Sequence, residues 1–280
     1  MKMNALRSIL FVPGNRSERF QKALNSGADG IFIDLEDAVS QQNKTVARNI
    51  TVEYFKSNPT SSKVARMLRI NSIRTLDGLN DILALNDNQL KPDAIALPKV
   101  ESASEIEILD SLLSNNPLNY VIMIESALGL ERAYDIAKAS KNIVALCFGG
   151  GDFSSEIGAK LNFLPMLYAR SRLVCAAASV GLPVFDVPYL SLNDPDETNL
   201  ITESQQAKDV GFSCKIAIHP KQISAINSVF TPSDMEISEA KEIIDEFNKN
   251  NHNVFELNGK MLDYAIIRKA QATIDRVNLL

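Results

Sequence analysis

The stretch GADGIFIDLEDAV (Gly27–Val39) contains the pattern on which the prediction of the fold depends. A short and mostly apolar run, Gly30–Asp34, is followed almost directly by the acidic residues Glu36 and Asp37. A continuous apolar run of this length is typical of a parallel strand that is buried on both faces. The chain contains seven further runs of this kind: Ser8–Val12, Val64–Ile70, Ala94–Leu97, Tyr120–Ile124, Ile143–Phe148, Pro183–Val187 and Lys215–Ile218.

Amphipathic segments separate these runs, which is the pattern of parallel strands covered by helices. Examples are Arg16–Asn25, Gln42–Lys56, Ala103–Leu113, Leu128–Ala139, Pro165–Val180 and Pro195–Val210. Eight strand–helix units in about 230 residues fit a closed (β/α)8 barrel better than a doubly wound open sheet, which is the alternative. We therefore predict an α/β fold in which residues 1–230 form a TIM-barrel catalytic domain.

Residues 231–280 exceed what the barrel requires. A helix-start signal, Thr231-Pro232-Ser233-Asp234, precedes a helical stretch over Met235–Lys249. A polar link at Asn250–Asn253 then leads to a final helix near Tyr264–Val277. We predict that this tail is a C-terminal helical lid, which packs on its own barrel or on a neighbouring subunit.

Composition and charge exclude several classes of protein. The 280-residue chain has 29 Lys and Arg against 34 Asp and Glu, which argues against nucleic acid as a partner. No apolar run approaches the roughly 18 residues of a membrane helix, and we expect a cytoplasmic protein with no membrane contact. Two histidines are too few for a His-rich zinc site. The three cysteines are expected to be buried core thiols.

Charged and polar residues follow almost every predicted strand. In a TIM barrel the active site lies at the carboxyl ends of the strands, so these residues should converge on one rim. They are Arg16, Glu36, Asp37, Arg69, Lys99, Glu125, Asp152, Asp186 and His219. A merely solvated rim would carry its charges on loops rather than directly at strand ends. The set therefore predicts an active site at this rim.

Glu125 and Asp152 are the candidate metal ligands. Two carboxylates from adjacent strands can hold Mg²⁺ while water and substrate oxygens complete its octahedral coordination. Glu36 and Asp37 are candidates for orienting metal-bound water. The alternatives are a rim salt bridge for Glu125, a helix N-cap for Asp152, and a surface acidic pair for Glu36 and Asp37. The preceding triglycine, Gly149–Gly151, suits a close backbone approach or a positive φ.

Basic residues at the rim are candidates for binding an anionic substrate. Arg69 offers a planar fork for a carboxylate or carbonyl oxygen, unless it is a structural partner of the acidic pair after the second strand. Arg16 and Lys22 could meet phosphates near the start of the first helix, unless they form an exposed basic face. His219 precedes a proline and fits a structural cap. Lys99 is a conceivable Schiff-base residue, but the carboxylate-rich rim favours metal chemistry.

Several motifs are spread over nearly the whole chain. They are RSILFVPGNR (Arg7–Arg16), GADGIFIDLEDAV (Gly27–Val39), LRIN (Leu68–Asn71), LPKVES (Leu97–Ser102), IES (Ile124–Ser126), CFGGGDF (Cys147–Phe153), IHPKQI (Ile218–Ile223), FTPS (Phe230–Ser233) and GKMLD (Gly259–Asp263). Together they resemble the citrate lyase β-subunit-like family, which includes malyl-CoA and citramalyl-CoA lyases. The chain departs from the usual family pattern in two places: no proline follows the tail motif, and glycine rather than an acidic residue precedes Asp152.

The resemblance implies a TIM barrel that uses Mg²⁺ to cleave a CoA thioester in a Claisen-type reaction. The products would be acetyl-CoA and a small 2-keto acid, pyruvate or glyoxylate. By position, Glu125 and Asp152 would ligate the metal, and Arg69 would hold the keto-acid portion.

The resemblance also implies contacts for CoA and a role for the tail. Phe11, Arg16 and Lys22 would touch CoA. Asp263 would reach into the active site of a neighbouring subunit as the acid/base. The implied assembly is a homotrimer.

Three other functions remain open at this level. The chain could be a true citrate lyase β subunit that cleaves a citryl thioester on a carrier protein. It could be a metal-dependent aldolase of free 2-keto acids, with no use of CoA. It could also be a non-catalytic CoA-binding subunit, although the joint presence of Glu125, Asp152 and Arg69 argues against this.

Overall fold

A closed barrel is the centre of the structure, a computed structural model that describes residues 3–59, 63–250, 255–257 and 260–280. Its eight parallel strands are hydrogen-bonded in chain order, and the first pairs with the eighth. They are β1 Ser8–Pro13, β2 Gly30–Asp34, β3 Ala65–Arg69, β4 Ala94–Leu97, β5 Tyr120–Ile124, β6 Ile143–Phe148, β7 Val184–Asp186 and β8 Cys214–Ala217. The predicted TIM barrel is confirmed, and the doubly wound alternative is excluded.

Helices follow the strands and cover the outside of the barrel. They are α1 Phe20–Leu24, α2 Lys44–Ser57, α3 Leu76–Asp87, α4 Ala103–Leu112, α5 Ala127–Glu131, α6 Ala133–Ala137, α7 Gly150–Glu156, α8 Phe163–Ala178, α9 Thr198–Val210 and α10 Ile223–Phe230. Helix α3 completes the third of the predicted strand–helix units and contains a glycine, Gly78. Packing requires this glycine, since a Cβ there would clash with the carbonyl group of Ser72.

Side chains that alternate along each strand fill the interior of the barrel. Many of them are small, and the buried set is Ile9, Phe32, Ala65, Met67, Ala94, Ala96, Val121, Met123, Ala145, Cys147, Phe185, Cys214 and Ile216. Residues two positions further along a strand share the same inward direction. At the carboxyl ends of the strands this alternation produces a layer that contains Phe11, Asp34, Arg69, Glu125, Gly149 and Ile218.

Strand β7 has only three residues and is held by buried charges. The carboxylate of Asp186 accepts hydrogen bonds from Lys215 Nζ at 2.6 Å and from Arg170 Nε at 3.0 Å. Lys215 Nζ also lies 2.8 Å from Glu203 Oε1. Because Phe185 points into the barrel, Asp186 points outward, between the sheet and helices α8 and α9. The prediction that Asp186 belongs to the rim is therefore wrong.

The tail, residues 231–280, lies outside the barrel. Helix α11 (Asp234–Lys249) is followed by two antiparallel strands, β9 (Phe255–Leu257) and β10 (Lys260–Leu262), and by helix α12 (Tyr264–Leu279). Leu262 and Ile267 form a small apolar cluster with residues of α11, separate from the two clusters of the barrel. Most of the predicted polar link, and Gly259 of the tail motif, lie outside the described residues.

Arg276 attaches helix α12 to the barrel. Its guanidinium donates hydrogen bonds to the carbonyl oxygens of Asn4 at 2.8 Å, Leu6 at 3.3 Å, Ser213 at 2.7 Å and Phe230 at 3.2 Å. Asn4 and Leu6 precede β1, Ser213 precedes β8, and Phe230 ends α10. The tail is therefore bound at the amino ends of the strands, on the face opposite to the rim.

Two further sequence predictions concern the surface. Among the helices of the described residues, none is both long and apolar enough to cross a bilayer; the cytoplasmic location stays a prediction. Cys147 and Cys214 are buried, as predicted, but Cys175 is exposed, so the prediction is wrong for this thiol. Cys175 lies on α8, one face of which is turned to solvent.

Candidate active site

A cavity of about 240 Å³ opens at the carboxyl ends of the strands. Phe11, Asp37, Arg69, Glu125 and Asp152, all predicted site residues, line it together. The predicted acidic residue Glu36 adjoins this group through Arg69 and Lys99. The remaining wall is mostly apolar and contains Met123, Phe148, Leu161, Val187, Leu190, Ile216 and Ile218. Acidic and basic groups thus face a largely apolar chamber.

Arg69 is buried and is held by two carboxylates. Its Nε and Nη2 donate to the two oxygens of Asp34 at 2.7 and 2.6 Å, and Nη1 lies 3.0 Å from Glu36 Oε2. The guanidinium carbon is 4.6 Å from the ring centroid of Phe11. Burial lowers the pKa of Arg69, but Asp34 and Glu36 outweigh it and the net shift is upward. Arg69 is thus fixed and charged. The alternative that it is a structural partner of the acidic pair after the second strand is also found, since it forms ion pairs with Glu36 and Asp37.

Asp34 is the site residue that the sequence prediction missed. It is the last residue of β2 and is almost fully buried. Beyond its two bonds with Arg69, it accepts the backbone N–H groups of Glu36 at 2.9 Å and Ala38 at 3.1 Å. The signal for it was available, since Phe32 and Asp34 share one face of a strand.

Glu125 is buried at the end of β5. Its Oε2 accepts the backbone N–H of Lys99 at 3.0 Å. Among the described residues, no side-chain nitrogen of Lys or Arg comes within ion-pairing distance, so the alternative of a rim salt bridge is not found. Burial raises the pKa of Glu125 to about 8, against the lowering effect of Arg69. Without a bound cation, this side chain is a costly one to ionise.

The triglycine makes room for Glu125. A Cβ on Gly149 would overlap the side chain of Glu125, and one on Gly150 would lie 2.9 Å from the ring of Phe148. A Cβ on Gly151 would meet nothing within 4 Å. The expected close approach is therefore found at Gly149, whereas a positive φ is found at none of the three.

Lys99 lies at the centre of the acidic residues of the rim. Its Nζ is 2.8 Å from Glu36 Oε1, 3.2 Å from Asp152 Oδ2 and 3.6 Å from Asp37 Oδ1. Burial raises the pKa of Glu36, although Arg69 and Lys99 oppose the shift. The acidic pair is therefore not simply a surface feature: Glu36 is buried in an ion-pair network, and only Asp37 is exposed.

Asp152 belongs to the first turn of α7 and is half exposed. The N-cap of this helix is Gly149, so the alternative that Asp152 is the cap is wrong. Its position in the first turn leaves the carboxylate free to face the cavity, where it meets Lys99. Negative charge at this end of a helix is also favoured by the helix dipole.

Glu125 and Asp152 fit a magnesium ion. They supply two hard oxygen donors to one cavity, which has room for the water and substrate oxygens that Mg²⁺ retains. In the part of the chain that the structure describes, no cluster of three or more His, Cys, Asp or Glu forms a ready metal site. The donor set thus suits an open site that a substrate completes, rather than a closed structural one.

A second, basic pocket of about 400 Å³ adjoins the first across Phe11. Lys22 lines it, as do Arg19 and His219, which the sequence prediction did not assign to ligand binding. Arg16 does not line it; this side chain is exposed and lies 3.7 Å from Glu18. The predicted cap at His219 is confirmed, because its Nδ1 accepts the N–H of Lys221 at 3.2 Å.

Asp263 lies apart from the cavity. It is the N-cap of α12, and its Oδ1 accepts the N–H groups of Ala265 at 2.9 Å and Ile266 at 3.2 Å. No residue beyond Ile218 lines the cavity, as far as the described residues show. Within a single chain, Asp263 therefore does not meet Glu125, Asp152 or Arg69.

Comparison with known proteins assigns this architecture to a family. A sequence model for HpcH/HpaI aldolase/citrate lyase matches residues 7–220, which span the barrel from β1 to the end of β8. The chain belongs to this family. The predicted relationship to citrate lyase β-subunit-like proteins, a group of carbon–carbon lyases, is thereby confirmed.

Relatives in the HpcH/HpaI aldolase/citrate lyase family carry several different names. Citrate lyase subunit beta of Leuconostoc mesenteroides subsp. cremoris is 33% identical over 97% of this chain and 93% of its own length. The mitochondrial citramalyl-CoA lyase of Homo sapiens is 30% identical over 96% of this chain and 84% of its own length. The (3S)-malyl-CoA thioesterase of Cereibacter sphaeroides is 31% identical over 96% of this chain and 93% of its own length.

Solved structures of similar proteins agree with the fold. RipC from Yersinia pestis is 39% identical, covers 84% of this chain and all of its own, and has a TM-score of 0.75. CitE from Mycobacterium tuberculosis, solved with magnesium, acetoacetate and coenzyme A, is 27% identical over 99% of this chain and all of its own, with a TM-score of 0.83. Magnesium is thus the metal found with this barrel in a structural relative.

Proposed function

We propose that this protein is a Mg²⁺-dependent acyl-CoA lyase. It cleaves a 3-hydroxyacyl-CoA of the citramalyl-CoA or malyl-CoA type, reversibly, into acetyl-CoA and pyruvate or glyoxylate. The observation that carries the proposal is the convergence of Glu125, Asp152 and Arg69 on one cavity beside a basic pocket. The first pocket suits the small anionic part of the substrate, and the second suits the phosphates of CoA.

Glu125 and Asp152 would hold the magnesium ion. When bound, Mg²⁺ supplies a Lewis acid that favours loss of the hydroxyl proton of the substrate. The mostly apolar wall restricts water around the reacting carbon, which strengthens electrostatic interactions there. Support for the metal comes from the buried carboxylate of Glu125, which has no ion-pair partner among the described residues, and from the magnesium bound in CitE.

Arg69 would orient the carboxylate end of the substrate. A guanidinium has five N–H groups. Asp34 accepts two of them, and Nη1 forms ion pairs with Glu36 at 3.0 Å and with Asp37 at 3.9 Å. We expect an N–H group that Asp34 does not use to meet a substrate oxygen, since Arg69 lines the cavity. Glu36 and Asp37 would act through Arg69 and Lys99, and would order water around the metal.

Phe11 and Lys22 would contact CoA in the basic pocket, together with Arg19. Arg16 would reach a phosphate from the rim, where its exposed side chain lies 3.7 Å from Glu18. A pocket lined by Arg19 and Lys22, with Arg16 at the nearby rim, attracts the negatively charged phosphates of CoA more strongly than an uncharged pocket would.

Asp263 would act as acid/base in a second copy of the chain. Cleavage breaks the C–C bond and leaves its electron pair on the acetyl-CoA carbon, which then needs a proton. Since Asp263 lies away from its own cavity, the tail (residues 231–280) would serve as a lid for a neighbouring subunit. Exposed apolar side chains support such a contact: Met261 and Tyr264 on the tail, and Leu164 and Tyr168 on α8. We propose a homotrimer.

A citrate lyase β subunit is the second candidate function. The 33% identity to citrate lyase subunit beta of Leuconostoc favours it. The difference lies in the thioester, which would be carried by a protein rather than by free CoA. A metal aldolase of free 2-keto acids and a non-catalytic CoA-binding subunit receive less support, because the basic pocket and the full acidic site are both present.

A panel of CoA thioesters tests the proposal. Citramalyl-CoA and malyl-CoA would be incubated with the protein and Mg²⁺, and acetyl-CoA and the keto acid would be quantified. Equimolar acetyl-CoA and keto acid is the expected result, with Glu125→Ala inactive. Release of free CoA without C–C cleavage would indicate a thioesterase. Turnover only with an acyl carrier protein would favour the citrate lyase subunit.

A further inference from the structure

The backbone of Lys99 is held in an unusual conformation. Its φ is 57°, in the left-handed region that residues other than glycine rarely adopt. Both of its backbone polar groups have partners: the N–H donates to Glu125 Oε2, and the carbonyl accepts from Arg74. A non-glycine residue keeps such a conformation when the surrounding contacts over-determine it, which is common at functional sites.

The side chain of Lys99 carries its charge into the proposed metal site. The ammonium lies 3.2 Å from Asp152, a proposed ligand, and 2.8 Å from Glu36. Among the described residues, two cationic side chains, Arg69 and Lys99, form the ion pairs of a rim that contains five carboxylates. The carboxylates are those of Asp34, Glu36, Asp37, Glu125 and Asp152.

We propose that Lys99 is a positioning residue that shares Asp152 with the metal and weakens the binding of free Mg²⁺. The inference rests on the proposed function, because it takes Glu125 and Asp152 as the metal ligands. Lys99 links both ligands, one through its N–H and the other through its ammonium. It therefore holds the carboxylates in place while the metal is absent, and its positive charge opposes the arriving cation.

The electrostatic consequence has a definite sign. Two positive charges that share a carboxylate repel each other, and near a protein surface that repulsion is only partly screened. Removal of the Lys99 charge therefore tightens the binding of Mg²⁺. A purely structural role gives the opposite sign, since loss of a support for Asp152 loosens the binding. The sign of the change separates the two roles.

Calorimetric titration of MgCl₂ into the substrate-free protein provides the test. For Lys99→Met we expect a Kd about tenfold lower than that of the parent protein. Lys99→Arg keeps the charge and should bind Mg²⁺ with nearly the parent's affinity. Lys138→Met is the matched control, since Lys138 forms an exposed ion pair with Asp135 at 2.9 Å on another part of the surface. Its Kd should not change.

Lys99→Gln keeps a hydrogen-bond donor and replaces Lys99→Met if the latter does not fold. An unchanged or weaker affinity in the neutral Lys99 variants overturns the inference, while the metal site itself stands. If the parent protein gives no Mg²⁺ binding, or if Glu125→Gln binds as tightly as the parent, the proposed metal site fails instead.

Discussion

Glu125 shows how neighbouring residues can prepare a side chain for a ligand. The carboxylate is buried, accepts a single backbone hydrogen bond from Lys99, and lies against Gly149, where no larger residue fits. Its ionised form therefore lacks a close positive partner within the described residues. A magnesium ion would supply that partner, so binding of the metal and ionisation of Glu125 should be linked.

The first prediction concerns the stability of Glu125→Gln without metal. Burial raises the pKa of Glu125 to about 8, above its ordinary value of 4.5, so the folded protein retains a proton that the unfolded chain releases. The parent's free energy of unfolding therefore falls as pH rises from about 4.5 to about 8, and this loss is absent in the variant. We expect the variant's Tm to exceed the parent's by several degrees near pH 8.

Differential scanning calorimetry with EDTA present measures this difference across the pH range. The gap should close toward pH 5, and added Mg²⁺ should stabilise only the parent protein. Parallel Tm curves for the two proteins at all pH values would contradict the assignment of the raised pKa to Glu125.

The second prediction concerns the glycines before Asp152. Gly149→Ala should displace Glu125 and weaken Mg²⁺ binding at least tenfold, because the new methyl group and the carboxylate cannot occupy the same space. Gly151→Ala is the matched control, since its Cβ meets nothing within 4 Å. Titration calorimetry of both variants tests this. Equal affinity in the two would show that Glu125 does not need Gly149.

At the scale of the elements, strand β7 depends on charge more than on length. With three residues it forms few ladder bonds, and the Asp186 carboxylate joins it to Lys215 on β8 and Arg170 on α8. Burial raises the pKa of Asp186, but the two cations outweigh it and the pKa is lowered, so the group is ionised at neutral pH.

The third prediction is that Asp186→Asn destabilises the barrel by about 3–5 kcal/mol, because the buried side chains of Arg170 and Lys215 lose the carboxylate with which they form ion pairs. Urea unfolding at pH 7, followed by circular dichroism, measures the loss. Asp135→Asn breaks an exposed ion pair and serves as the control, with no measurable change expected. A loss as small as that of the control would mean that β7 is held by its apolar packing alone.

The same strand shows how far the sequence predicts the fold and the site. All eight strands follow from short buried runs, and the rim follows from what comes after them. Asp186 is misplaced because the predicted run Pro183–Val187 does not show which of its residues face inward. In the structure Phe185 fills the barrel interior, so Asp186 points outward. Asp34 is overlooked as a partner for Arg69 because it falls within a strand rather than after one. Lys99 reaches the acidic rim through a left-handed turn that no residue pattern signals.

At the scale of the whole molecule, the position of the tail is the property that the sequence leaves open. Amphipathic helices indicate that it packs on something, but both its own barrel and a neighbour satisfy that pattern. The contacts of Arg276 fix one end of α12 to the amino ends of the strands. Asp263, at the other end of the helix, then lies apart from the cavity of its own chain, as far as the described ranges show.

The fourth prediction tests sharing of the active site between subunits. Glu125→Gln and Asp263→Ser should each be inactive alone, and serine preserves the N-cap of α12. When the two are unfolded together and refolded as a mixture, about a quarter of the sites should combine an intact barrel with an intact tail from the neighbour. Thioester cleavage assays measure the recovery. An inactive mixture that nevertheless forms mixed oligomers would rule out action of Asp263 on a neighbouring subunit.

The attachment of α12 also decides how the protein can be handled on a solid support. Ala5 and Leu6 lie beside Leu279 and Leu280, around one pocket on the face that carries Arg276. The barrel mouth, with Phe11 and Glu125, opens on the opposite face. A tether attached at Ala5 or at Leu280 would therefore orient the barrel outward, with its substrate entrance toward the flowing solution.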